Sequence, residues 1–310
     1  MKKKVLSAAL LAAFGGAVAF WILTAPGSLE AGAARAQRAP NAERGEQVFW
    51  AGGCASCHAR PDAEGDARLE LAGGVELRSD FGTFVAPNIS PHERDGIGTW
   101  SENDFANAML HGVSPEGEHY YPAFPYPSYA RMSLQDVSDL FAFIKTLPDV
   151  EGSAGEHRLS FPFTVRRGIG LWKLAFMREA PVVPLGEEAS EAQRRGQYLV
   201  EGAGHCGECH TPRNFAGGQL YDQWLAGAVS AEGEGVVPNV TPGEGGLDSW
   251  SVGDVAYYLE TGFTPEFDSV GGAMVSVQKN MARLSTEDRE AIAAYLKAVP
   301  ARPNGYPSSR

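Results

Sequence analysis

Cysteine is scarce in this 310-residue sequence, which has only four. All of them lie in two short motifs of the form C-x-x-C-H, whose distinctive residues are Cys54, Cys57, His58, Cys206, Cys209 and His210. No cysteine remains outside the motifs, so a thiolate metal ligand elsewhere in the chain is excluded.

Positive charge is also in short supply. The chain has 26 Lys and Arg residues against 38 Asp and Glu residues, which gives a formal net charge of −12. A surface of this sign repels nucleic acid and favours basic or positively patched partners. We therefore expect no nucleic-acid partner.

The sequence lacks any useful run of alternating apolar and polar residues, the pattern that indicates a half-buried strand. Glycine and proline are frequent instead, with 37 and 20 residues. These features predict an all-α fold with long loops and almost no sheet. Long loops of this kind suit a fold that wraps around a prosthetic group.

The spacing of the two motifs indicates a specific chemistry. C-x-x-C alone fits a redox dithiol or half of a zinc site, whereas C-x-x-C-H is typical of covalent haem c attachment. Two thiols three residues apart reach the two vinyl groups of one porphyrin, and the next residue binds the iron. We predict two haem c groups. Disulfides, or one zinc site shared between the motifs, remain the alternatives.

The N-terminus predicts export. Residues 1–36 begin with Met-Lys-Lys-Lys and continue with a run of about 21 uncharged residues, long enough to span a bilayer. We favour an uncleaved anchor with the remaining chain on the periplasmic side of the bacterial inner membrane. The alternative is cleavage after the A-x-A pattern, before Gln37, which would give a soluble periplasmic protein.

Internal repetition predicts two copies of one domain. "RGEQVFWAGGCASCH" resembles "RGQYLVEGAGHCGECH", and further paired segments recur at a nearly constant offset of about 150 residues. The copies are predicted over 41–150 and 189–301. A linker over 151–188 and a tail over 302–310 complete the chain.

Capping signatures predict that each copy is helical. Serine followed three residues later by Asp or Gln is the pattern of a helix N-terminus. It occurs at five positions, namely Ser101, Ser133, Ser190, Ser251 and Ser285.

These residues resemble the class I c-type cytochromes. In that family a glycine and an aromatic residue precede C-x-x-C-H on the first helix, and a last helix carrying an aromatic residue crosses at the glycine. Gly45, Phe49 and Phe143 fit in the first copy, and Tyr295 fits in the second. The second copy departs slightly from the pattern, because Gly196 is followed by Tyr198 and Val200. The resemblance implies covalent haem through the four cysteines, with His58 and His210 as proximal ligands.

A narrower resemblance covers most of the exported chain. "PNISPHERDGIGTWSENDF" and "HYYPAFPYPSYARMS" are similar to the cytochrome subunits of membrane-bound bacterial alcohol, aldehyde and sugar-acid dehydrogenases. Those subunits commonly carry three haems, whereas this chain has two motifs.

The resemblance also implies a methionine as the distal iron ligand, supplied by the loop before the last helix. Met274 is our prediction for the second copy, with Met281 as the alternative. Met132 is our prediction for the first copy, where packing in the core is an equally good interpretation. His119 and His111 are further alternatives, and without any ligand the first haem would have an open site.

Two classes of function fit these features. The first is electron transfer from a dehydrogenase to the respiratory chain, with a quinone, another cytochrome or a terminal oxidase as acceptor, and with no catalytic residue of its own. The alternative is a catalytic two-haem enzyme of the peroxidase or thiosulfate-oxidising type with an open distal site.

The linker contains the one basic and aromatic stretch in an acidic chain, over 161–179. It is predicted either to dock on a membrane or partner or to pack as a strap across both copies.

Overall fold

A computed structural model describes residues 2–29, 37–230 and 235–307. Most of the predicted cleavage motif, residues 33–36, lies outside the described residues.

The first described element is a long helix whose side chains are exposed and which contacts the rest of the protein near its C-terminal end. This helix, α1, runs over Lys2–Leu23. Its described large apolar side chains are exposed, as at Phe14 with 70% of its surface accessible. Within the described ranges, the stretch Lys4–Leu23 is the one helix long and apolar enough to cross a membrane.

The first predicted copy is built mainly from helices. They are α2 (Ala42–Ala51), α3 (Cys54–His58), α4 (Glu102–Ala106), α5 (Tyr126–Tyr129) and α6 (Leu134–Ile144). A wider helical turn over Asn107–His111 extends α4.

The linker contains a short 3-10 turn over Arg166–Gly168 and then the α-helix α7 (Ile169–Phe176). The second predicted copy then repeats the helical order of the first. Its helices are α8 (Glu191–Tyr198), α9 (Gly207–His210), α10 (Val252–Thr261), α11 (Met274–Met281) and α12 (Thr286–Leu296).

The structure also contains two small antiparallel sheets. The described strands are β1 (Glu76–Ser79), β2 (Gly82–Val85), β3 (Arg158–Leu159), β4 (Ala228–Val229) and β5 (Val236–Val237). The order β1–β2–β3 brings the linker strand beside the first copy, and β4 pairs with β5. The fold is thus mostly helical, with slightly more sheet than the sequence predicts. Strands of two to four residues are too short for a period of two to be recognised.

The capping prediction is confirmed at all five serines. Ser101, Ser190 and Ser251 form complete capping boxes, in which the side chain three residues on bonds back to the serine N–H. Ser133 and Ser285 accept the N–H of Asp136 and Asp288 respectively. Each cap satisfies backbone donors that would otherwise lack a partner at a helix start.

The predicted crossing of α2 and α6 is confirmed in the first copy. A Cβ placed on Gly45 would overlap the backbone carbonyl of Asp139 and lie 2.8 Å from the Cβ of Phe143. Phe49 and Phe143 meet beside this point, with ring centroids 5.2 Å apart. Glycine is therefore required for the two backbones to touch.

The second copy repeats this contact between α8 and α12. A Cβ on Gly196 would overlap the carbonyl of Ala291 and lie 2.8 Å from the Cβ of Tyr295. Tyr295 is fully buried. The two glycines thus have the same steric role in the two predicted copies, which we call the first half and the second half.

The linker is fastened to the second half by a buried carboxylate. Glu201 is 1% exposed, and its side chain accepts the backbone N–H of Val182 at 2.6 Å and of Val183 at 3.1 Å. The hydroxyl of Tyr295 and the amide of Gln197 also donate to it. These donors stabilise a charge that would be costly to bury alone.

We predict that Gly45→Ala destabilises the protein by about 3 kcal/mol, because the new methyl group forces α2 and α6 apart. Thermal or urea unfolding of the full-length protein in detergent measures the loss. Gly168→Ala is the matched control, since Gly168 has helical dihedrals and nothing within 4 Å of its Cβ position. Equal stability of the two variants would contradict the crossing as a constraint.

Candidate cofactor-binding site

Each C-x-x-C-H motif ends the turn that follows the first helix of its half. The first motif forms α3, which begins after Gly53 in the left-handed conformation with φ of 60°. The second is centred on α9, reached through His205 with φ of 39°. The turn after α2, and the turn after the wider helical segment Leu199–Ala203 that continues α8, set the thiols and the imidazole of each motif on or beside one short helix.

Both motif histidines are held by a proline carbonyl. Nδ1 of His58 lies 2.9 Å from the carbonyl oxygen of Pro87, and Nδ1 of His210 lies 2.8 Å from that of Pro238. A carbonyl only accepts, so Nδ1 carries the hydrogen and the lone pair of Nε2 is left for a metal.

Burial favours the same protonation state. It lowers the pKa of His58 and of His210, and the hydrogen bonds to proline only partly oppose it. Both imidazoles are therefore neutral, as a metal-binding histidine must be. The sequence analysis did not identify the proline carbonyls. The repeated "APN" and "VPN" segments, at matching distances after the two motifs, are the signal that could have found them.

The thiols do not form either alternative site. In the described part of the chain no disulfide joins the four cysteines, and no group of three or more His, Cys, Asp or Glu side chains is placed to hold a metal ion. Burial raises the pKa of Cys54 and of Cys206 to about 12. Redox dithiols need a lowered thiol pKa, so this environment does not favour that chemistry.

A buried indole beside the second motif supports the fit to a haem. The ring of Trp224 packs directly on Gly207, the first residue of α9. Trp224 is 3% exposed, and its Nε1 forms no hydrogen bond of good geometry among the described residues, although it lies near enough to the hydroxyl of Tyr295 to oppose in part the rise in the pKa of that phenol. A haem carries propionates, which accept such a donor. The sequence analysis did not single out this residue.

The side chains of the asparagines that follow the two prolines form hydrogen bonds within the protein. Asn88 donates to the carbonyls of Val150 and Gly152, and its side-chain oxygen accepts the N–H of Ser90. Asn239 donates to Arg302 in the same manner. These bonds fix the turns that present the proline carbonyls to the histidines.

The two motifs are neighbours in space. His205 Nε2 lies 3.2 Å from the carbonyl oxygen of Gly52, which also accepts the hydroxyl of Tyr129 at 3.4 Å. Burial raises the pKa of Cys57, and the charge of Cys209 in the other motif contributes to the same shift. The two candidate haem sites therefore adjoin each other.

A helix of the second half is bonded to the first motif. The hydroxyl of Ser56, between Cys54 and Cys57, lies 2.8 Å from the hydroxyl of Ser276 and accepts the amide of Asn280 at 2.7 Å. Asn280 is fully buried and also accepts a hydrogen bond from Arg68. Helix α11 thus rests on the turn that carries the first pair of thiols.

The reciprocal contact joins the first half to the second motif. Ser128, on α5, donates to the carboxylate of Glu208 at 2.7 Å, and Glu208 lies between Cys206 and Cys209. Helices α5 and α11 occupy corresponding places before the last helix of each half. Each motif is therefore held by the loop region of the other half, an arrangement that we call the reciprocal clasp.

The predicted distal ligands fall in different surroundings. Met274 is the first residue of α11 and is partly buried against the core, whereas Met281 ends that helix and is 4% exposed. Met132 is 7% exposed in the core, with its Cγ 3.6 Å from the Cβ position of Gly202. Phe124 precedes α5 much as Met274 begins α11. The ligand assignments stay predictions.

The two histidines considered for the first copy lie near the end of α1. His119 is 3% exposed, and its Nε2 lies 2.9 Å from the carbonyl oxygen of Thr24. His111 and His119 line a cavity of about 490 Å³ together with Leu23. Burial lowers the pKa of both imidazoles.

Comparisons with known proteins agree with this geometry. Residues 42–148 match the family model described as cytochrome c. A protein of Cereibacter sphaeroides named diheme cytochrome c-type is 56% identical over 260 residues, which cover 84% of this chain and 86% of that protein.

Two further relatives are named as parts of dehydrogenases. The fructose dehydrogenase cytochrome subunit of Gluconobacter japonicus is 36% identical over 85% of this chain. The alcohol dehydrogenase (quinone) cytochrome c subunit of Gluconobacter oxydans is 35% identical over 88% of it. The alignments cover only 53% and 58% of those two relatives.

We predict that Asn280→Ala destabilises the protein by about 2 kcal/mol, because Ser56 and Arg68 lose a buried partner. Urea unfolding of the full-length protein measures the change. Lys279→Ala, on the same helix, is the matched control, since Lys279 makes only a 3.7 Å pair with the exposed Glu64 and such pairs contribute little. Similar losses in both variants would show that the clasp contributes no specific stability.

Proposed function

The chain belongs to the cytochrome c family, and from that premise we propose that it is a two-haem protein that carries electrons from a dehydrogenase to the respiratory chain. The observation that carries the proposal is the adjacency of two C-x-x-C-H motifs, each with its histidine fixed by a proline carbonyl. Two such sites in contact make a short relay. The names of the three relatives reported above describe a cytochrome and two cytochrome subunits, which does not support the catalytic alternative.

Each half holds one haem c in this proposal. The two domains are those predicted from the repeats, 41–150 and 189–301. Cys54 and Cys57 attach the first haem and His58 binds its iron, while Cys206, Cys209 and His210 do the same for the second. The haem supplies a one-electron couple, and the chain's residues attach, bury and orient it.

The distal ligands complete the proposed sites. Met274, proposed for the second haem, lies at the start of α11, two residues before Ser276, which bonds to Ser56 in the reciprocal clasp. Met132 is proposed for the first haem on the sequence argument alone. Its core position beside Gly202 is equally compatible with packing.

We place the protein on the periplasmic side of the inner membrane, anchored by α1. The contacts at the end of that helix support an uncleaved anchor. Thr24 is fully buried, and Leu29 donates its N–H to the side chain of Asn107 at 2.7 Å. Cleavage before Gln37 would remove both residues from the folded protein.

The proposed donor is a periplasmic or membrane-bound dehydrogenase; two of the named relatives are cytochrome subunits of dehydrogenases, which supports a dehydrogenase as donor. A quinone, another cytochrome or a terminal oxidase is the proposed acceptor. Because the chain is acidic, basic surfaces on soluble partners would attract it.

We predict that the denatured protein retains two haems. Replacing Cys54 and Cys57 by serine should halve the covalent haem, because serine forms no thioether, and replacing Cys206 and Cys209 should do the same. Haem staining on a denaturing gel and intact mass measure the content. A full-length protein without covalent haem would overturn the proposed function.

We predict that Met274→Leu opens the second iron to carbon monoxide in the reduced state. The matched control is Met281→Leu, which should leave carbon monoxide binding unchanged because Met281 packs in the core. The reverse result would exchange the two assignments. Strong carbon monoxide binding by half of the haem in the unsubstituted protein would exclude Met132 as a ligand.

A further inference from the structure

The junction between α1 and the rest of the protein is tightly built. The helix is exposed over its described length, but Thr24, directly after it, is fully buried. The carbonyl of Thr24 accepts from His119, and its hydroxyl accepts from Nε of Arg167 at 3.0 Å. A Cβ on Gly170 would lie 2.6 Å from the Cα of Thr24. The linker therefore touches the end of the helix backbone to backbone.

Arg167 fixes the orientation of the helix end. Its Nη2 donates to the carbonyl oxygen of Trp21 at 2.7 Å, and its guanidinium lies 4.2 Å from the centre of the Trp21 ring. A cation at the C-terminal end of a helix satisfies open carbonyls and opposes the negative end of the dipole. The linker and α1 thus meet through a defined contact and not through a flexible connection.

The linker leaves an apolar surface beside this junction. Five of its large apolar side chains are at least 40% exposed, namely Phe161, Phe163, Val165, Leu171 and Leu174. Leu171 and Leu174 are one turn apart on α7, and Leu174 lines the same cavity as Leu23, the last residue of α1. We call these five side chains the linker apolar surface.

The neighbouring face of α7 is bound to the protein. Nζ of Lys173 donates to the carbonyls of His111 and Gly112 at 2.6 and 2.8 Å, and burial lowers the pKa of Lys173 to about 7. Trp172 donates to the carbonyl of Ala216 at 2.9 Å, and Phe176 packs on Gly218. Because α7 is fixed to both halves, the leucine face cannot turn inward.

We propose that the linker apolar surface lies in the outer interface of the bilayer that α1 crosses. This proposal rests on the anchoring proposed above. A helix of 20 residues spans about 30 Å, the thickness of the hydrocarbon core, so Leu23 lies at the outer boundary of that core. Side chains that adjoin Leu23 are then at the depth where apolar residues enter lipid and arginine reaches the head groups.

The consequence is a fixed orientation of the two proposed haem sites above the membrane. Both halves are bonded to the linker, the linker is bonded to the end of α1, and the linker apolar surface holds the assembly against the lipid. A partner protein that covers this surface instead of lipid is the competing occupant. A preparation that contains only the protein and lipid distinguishes the two.

The test uses nitroxide labels on the full-length holoprotein in lipid nanodiscs. Single cysteines replace Phe161, Leu174, Phe14 and Phe267 in separate variants. Phe267 is the matched control, because it is 80% exposed against 82% for Phe161 and lies on a loop of the second half. Power saturation compares access to oxygen, which concentrates in lipid, with access to a water-soluble nickel chelate, each relative to nitrogen.

We expect the ratio of oxygen to nickel access at Phe161→Cys and Leu174→Cys to exceed that at Phe267→Cys several-fold, and Phe14→Cys to give the highest ratio. A high ratio at Phe14 with values at the linker equal to the control would overturn the proposed surface and leave the anchor in place. A low ratio at Phe14 would overturn the anchoring and the surface together. Neither result bears on the haem content, which the gel measures separately.

Discussion

Backbone contact between two helices, permitted by one glycine in each half, is the constraint on which the site depends. At Gly45 and at Gly196 the crossing helix leaves no room for a Cβ. The crossing fixes the position of the first helix in each half, and the motif follows that helix in the sequence. The same turn then brings the imidazole of the motif to a proline carbonyl. The placement of the imidazole in each site therefore depends on a purely steric contact between two helices.

The two sites are coupled by a second level of contact. The residues between each cysteine pair, Ser56 and Glu208, bond to the helix that precedes the last helix of the opposite half. Neither half completes the surroundings of its own motif. A structural change in the loop region of one half can therefore shift the motif of the other half through one or two hydrogen bonds. The two sites are thus coupled by direct contacts as well as being close in space.

Local signals in the sequence predicted much of this arrangement. The roles of the five capping serines and of the two glycines are encoded within a few residues, and the structure confirms the caps and the crossings. The haem attachment that the motif spacing predicts stays a prediction. The proline carbonyls, Trp224 and the reciprocal clasp were missed, because their partners lie far apart in the sequence and the side chains involved are ordinary ones. The short strands were missed since two to four residues carry no period. The distal methionines remain predictions, because a thioether fills a core as readily as it binds iron.

The buried carboxylate of Glu201 has a consequence for the repeated architecture. It receives donors from Val182 and Val183 in the linker and from Tyr295 in the last helix. A fragment of the protein that began at residue 189 would contain Glu201 but not Val182 and Val183, which donate to it. The buried carboxylate would then have fewer hydrogen-bond donors than in the whole chain. Val182 and Val183 therefore belong structurally to the second repeat, and a stable fragment of that repeat has to include them.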